Sequence, residues 1–164
     1  MKNVKTGRTY AVAVTSALCA AVLVGCGGGT SSSDAAPGTG GDDLAQVQAE
    51  SGVPEECLTA YPVAMTAPDL GDVELVPADW PGEPGGATLC QTTSTADGSI
   101  ETVDFAATMP AAEVLDHYEA ALAGAGVVRA DEGLGEQLSG STGGVDFEIT
   151  TRDGAYSVVF AAAG

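Results

Sequence analysis

The strongest constraint on this chain is a strict alternation near its C-terminal end. Val145, Phe147 and Ile149 alternate with Asp146, Glu148 and Thr150, and beyond Asp153-Gly154 the pattern resumes with Tyr156, Val158 and Phe160. A period of two sends one set of side chains to a buried face and the other toward water. An Asp-Gly pair between two such runs marks a tight antiparallel turn. The same arrangement occurs upstream, where Thr88 to Thr95 and Glu101 to Thr108 flank Ala96-Asp97-Gly98-Ser99, with Val103 and Phe105 directed at the core. A chain built this way is committed to antiparallel sheet with one face buried.

Helices have to cover that face. From Pro110, the segment AAEVLDHYEAALAGAG sets Val114, Leu115, Tyr118, Ala121, Leu122 and Ala125 on one side at helical spacing. Glu113 lies in the first turn, and Gly124 or Gly126 ends the helix. An earlier helix is predicted from Pro54-Glu55-Glu56 to about Met65, with proline and acids at its start as the helix dipole favours. Val73 to Val76 and Val127 to Ala130 read as short strands, and the Gly/Ser-rich stretch through position 144 reads as loop. The expected architecture is α+β: an antiparallel sheet of about four to five strands with one or two helices on one face.

The N-terminal part has a different character. Lys2, Lys5 and Arg8 precede any acid, and Tyr10 to Val24 is almost entirely apolar or small. Fifteen helical residues span about 22 Å, short of the roughly 30 Å hydrocarbon core of a bilayer. This is the pattern of an export leader. It ends on Leu23-Val24-Gly25-Cys26, which resembles the lipobox of bacterial lipoproteins. The resemblance implies that residues 1–25 are cleaved and that Cys26 carries fatty acyl chains. It also implies that the rest of the chain stands at the extracytoplasmic face of the cell membrane. The helix motif running from Pro110 through Val114-Leu115, Tyr118 and Leu122 to Gly126 likewise resembles a helix common in small domains of bacterial surface lipoproteins and secreted proteins. It speaks to fold and implies no chemistry.

Residues 27–53 are dominated by Gly, Ser, Thr and Asp, and are expected to form a flexible linker from Cys26 to a domain spanning 54–164, with Leu44 to Ala49 able to form a short helical turn that nothing requires. Cys57 and Cys90 are the two thiols left in that domain, and an exported chain meets an oxidising compartment, so they are expected to pair. Beyond residue 25 only Arg129 and Arg152 stand against all 23 carboxylates. Such a surface repels phosphate backbones, which excludes nucleic acid as a partner.

No reaction emerges from the residues, and neither a metal nor a cofactor is expected. His117, the only histidine, flanks the second helix's apolar face with no motif to supply partners for acid–base work or metal ligation. Ser139-Gly140-Ser141-Thr142-Gly143 lacks the first glycine of a nucleophile elbow. Asp69/Asp72, Asp97 and Asp131/Glu132 are too sparse for a calcium loop. Trp80, in a Pro-stiffened loop, is a candidate partner contact because Trp is enriched in binding hot spots; the competing reading puts its indole under its own loop as a cap on the sheet edge. The expected function is therefore non-enzymatic: a membrane-anchored module binding an envelope protein. The alternative is a carrier or sensor of a small apolar ligand in a cavity lined by Phe105, Leu115, Tyr118, Phe147 and Phe160.

Overall fold

The computed structural model describes residues 40–164 except Glu132 and Leu134. The expected leader, Cys26 and the first part of the expected linker, up to residue 39, lie outside the described residues, as does Glu132 of the Asp131/Glu132 pair.

Six antiparallel strands form a single open sheet: β1 (Ala87–Ser94), β2 (Ile100–Ala107), β3 (Val128–Asp131), β4 (Glu136–Thr142), β5 (Val145–Arg152) and β6 (Ala155–Ala162), in spatial order β1-β2-β6-β5-β4-β3. The sheet is thus one strand wider than the upper end of the sequence expectation. The addition is β4, in the Gly/Ser-rich stretch read as loop. Its large apolar residue, Leu138, is fully buried opposite Ile149. Gly140 faces Phe147 across the ladder, and a Cβ at Gly140 would lie 2.7 Å from that ring. The glycine that weakens the strand signal is what makes room for the core aromatic.

Both Asp-Gly hairpins form where expected. Each glycine takes positive φ (Gly98 at 68°, Gly154 at 72°), while among the described residues no other residue type does. Asp97 holds the first turn by accepting from Thr95 Oγ1 at 2.7 Å, Ser99 N at 3.1 Å and Ser99 Oγ at 2.8 Å. These donors hold its carboxyl well below the usual range, at about 2.

The helices α1 (Gly40–Glu50), α2 (Cys57–Ala60) and α3 (Ala111–Ala121) do not share one face of the sheet. Val114, Leu115, Tyr118 and Leu122 of the α3 segment bury against Val103, Phe105, Leu138, Phe147, Ile149, Tyr156, Val158 and Phe160. Alternation sends Ala106 and Ala155 to the opposite side, where they pack with Val53, Cys57, Tyr61, Ala64 and Cys90. A helix-bearing segment therefore lies on each face, correcting the expectation of one. The second face was hidden because the strands contribute only Ala106, Ala155 and Cys90 to it, small side chains with a weak apolar signal.

Three further expectations are revised. The first helix stops at Ala60, because Pro62 biases Tyr61 out of the helical region; Tyr61 sits at φ −135°, ψ 71°. Of the stretch expected to be linker, residues 40–50 are helical and Val53 is buried. Gln48, 3% exposed, fastens this helix by donating from Nε2 to the carbonyls of Pro62 (3.0 Å) and Ala64 (2.7 Å). Val73 to Val76, read as a strand, follows a 3-10 turn at Leu70–Asp72 and does not pair.

Three buried tyrosines link the two faces. Tyr61 Oη donates to the Tyr156 carbonyl at 3.0 Å, and Tyr118 Oη lies 3.2 Å from Tyr156 Oη. Burial pushes all three phenols up, Tyr118 to about 12 from its ordinary 10.0. The folded state holds these protons where the unfolded chain has lost them, so stability is unaffected below pH 10 and falls as pH rises from there toward 12. We expect phenolate absorbance from these tyrosines to rise only as circular dichroism reports unfolding. Ionisation near the ordinary value with the dichroism intact would contradict this packing.

Candidate functional site

The face carrying α3 is closed. Its loop, residues 66–86, brings Trp80 down onto Tyr118, Phe147 and Phe160, with ring centroids 5.7, 5.1 and 4.8 Å away. His117 Nε2 lies 2.9 Å from the Gly82 carbonyl. A carbonyl can only accept, so the proton sits on Nε2 and the ring ties the loop to α3. Arg129 joins α3 to β4 through Asp116 (2.6 Å), Glu119 (3.4 Å) and Glu136 (3.0 Å).

Trp80 is thus half-buried, packed against the core with part of its surface still exposed. It also lies away from the sheet edge, over Phe147 of β5 and Phe160 of β6 in the middle of the sheet. The void beneath it, bounded by Leu70, Val76, Val103, Phe105 and Val158, measures about 10 Å³. That holds one water at most. The space proposed for a small apolar ligand is filled by Trp80 and the residues meant to line it.

The opposite face is only partly covered. Cys57 and Cys90 are disulfide-bonded, both fully buried, and fix α2 to β1 as the sequence predicts. The register shifts between Leu89 and Gln91, so Cys90 falls at a bulge: Leu89 packs toward α3 while Cys90 belongs to the α2 side. Next to it Asp104, 6% exposed, accepts from Gln91 Nε2 at 2.6 Å and from Ser157 Oγ. Arg152 closes this end, donating to the Ala60 carbonyl at 2.8 Å with its guanidinium 4.4 Å from the Tyr61 ring centre.

Beyond that network the sheet is uncovered among the described residues. Ser157, Val159 and Ala161 follow Ala155 along β6 on the same side, so Ala161 lies roughly 20 Å from the corner that α2 covers. Opposite them on β5 stand Glu148, paired with Val159, and Asp146, paired with Ala161. Ser139 and Ser141 of β4 pair with the two acids, and Ile100 of β2, 42% exposed, flanks Ala161. Asp146, Glu148, Val159 and Ala161 line a groove of about 270 Å³. It has an aliphatic floor and a wall of two exposed carboxylates. Among the described residues neither acid has an ion-pair partner, since every ion pair there belongs to Arg129.

The remaining sequence candidates are placed without a common site. Ser139 to Thr142 belong to β4. Asp69 accepts from Gly71 N at 2.8 Å, and Asp131 from Gly133 N at 2.8 Å, each holding its own turn. Among the described residues no group of three or more His, Cys, Asp or Glu converges on a metal position. The groove itself was half visible in the sequence: alternation puts Asp146 and Glu148 together on the outer side of β5. Its floor comes from β6 and β2 through pairings that only the fold supplies.

Comparison with protein-family models, curated proteins and solved structures found no match.

Proposed function

We propose that this chain is a lipoprotein, held at the extracytoplasmic face of the cell membrane by acyl chains on Cys26, whose domain is a non-enzymatic module binding another envelope protein. The observation that carries this reading is Leu23-Val24-Gly25-Cys26 at the end of a basic and then apolar leader. The buried Cys57–Cys90 bridge supports it, because such bonds persist in oxidising compartments. The half-covered sheet supports a binding role by offering an open surface on a rigid frame. The void of about 10 Å³ favours a macromolecular partner over an enclosed apolar ligand.

Each buried methylene of an acyl chain contributes about 0.8 kcal/mol, and stable anchoring takes two chains. Replacing Cys26 with Ala should therefore release the protein from the membrane fraction into the periplasm or medium, and abolish incorporation of labelled fatty acid. Retention of Cys26→Ala in the membrane fraction would overturn the anchor.

A further inference from the structure

The geometry points to the groove between β5 and β6 as a docking surface for a basic amphipathic polypeptide segment, one that presents Lys or Arg beside aliphatic side chains. This inference rests on the binding-module reading and names the chemistry of its partner.

The argument is one of charge and shape. Asp146 and Glu148 are exposed, two residues apart on one strand and on the same side, with Val159 and Ala161 alongside. The chain cannot supply their counter-charge from its own domain. Beyond the leader its cations are Arg129 and Arg152. Arg129 is committed to Asp116, Glu119 and Glu136 on the α3 side, and Arg152 to Ala60 and the Tyr61 ring. A ligand bearing cations alone would leave the aliphatic floor wet, and an apolar ligand alone would desolvate two carboxylates without pairing them. A segment carrying both satisfies the groove. The surrounding excess of carboxylates draws such a segment in and repels an anionic lipid surface.

The test uses the full chain, purified in neutral detergent, and a short synthetic peptide alternating lysine and valine, with a glutamate–valine peptide as its anionic counterpart. Binding is read by fluorescence anisotropy. The lysine–valine peptide should bind and the glutamate–valine peptide should not. Asp146→Asn with Glu148→Gln should weaken binding about tenfold, from the loss of two exposed ion pairs. Glu74→Gln with Asp79→Asn removes the same charge from the loop over the opposite face and should change affinity less than about twofold, because exposed charges that far away are screened. Val159→Lys, which fills the floor and sets an ammonium opposite Glu148, should abolish binding with the circular dichroism unchanged. Equal losses for the two neutralised pairs, or undiminished binding by folded Val159→Lys, would overturn the groove as the site. Because the protein is already solubilised, failure here leaves the anchor intact, and failure of the Cys26 experiment leaves the groove intact.

Discussion

Replacing Cys57 and Cys90 together by Ala is expected to lower stability by about 4 kcal/mol, the chain entropy released when a loop of roughly this length is no longer closed in the unfolded state. The bridged residues are 33 apart in sequence. The structure gives reasons for a large effect. Helix α2 has only four residues, far too few to persist in water without a tie. Its apolar contacts on this face are mostly small: Ala64, Ala106 and Ala155, with Val53 and Tyr61. A covalent link stands in for area that the segment does not bury. Denaturant unfolding of the oxidised protein, the reduced protein and the double variant measures this directly. The latter two should agree, and a change in unfolding free energy below about 1 kcal/mol would show that α2 is held by its other contacts.

The second large effect is expected at Trp80. Alanine there should cost about 3 kcal/mol, the lower end of the range for truncating a large aromatic, because the indole is only half-buried. The loss combines the removed apolar area with two edge-on contacts, to Phe147 and Phe160, and the tilted contact with Tyr118. It would also enlarge the void of about 10 Å³ into one open to solvent. Trp80→Phe keeps part of the packing and should recover roughly half of the cost. If Trp80→Ala unfolded at the same denaturant concentration as the parent, the indole would not be part of the core.

The sequence is legible where burial and period coincide. In β5 and β6, every second residue is large and apolar and a single Asp-Gly pair intervenes, so strand, turn and facing are all encoded locally. Helix α3 is similar: Val114, Leu115, Tyr118 and Leu122 form a stripe, and Gly126, at φ 63°, stops the run. What escapes is structure whose support comes from elsewhere in the chain. Helix α1 docks through Gln48 and two carbonyls, a polar contact with no periodic signature. Strand β4 looks like loop because Phe147 demands a glycine opposite it. The two-sided burial of β2 was concealed by Asp104, whose charge suggests solvent but which is 6% exposed between Gln91 and Ser157. For the sites, the thiols were few enough to pair by compartment alone. The groove needed the β5–β6 and β2–β6 registers before Val159, Ala161 and Ile100 could be seen beside the acids.

The bond between Cys57 and Cys90 also defines a load path. Tension applied from the N-terminal side reaches Cys57 and crosses directly into β1, so the intervening span, including the loop with Trp80, stays slack. A module dragged by its N-terminal end while gripped on the sheet would transmit that force through a covalent shortcut and the strand ladders. Its aromatic lid would remain seated while the frame beneath it was pulled.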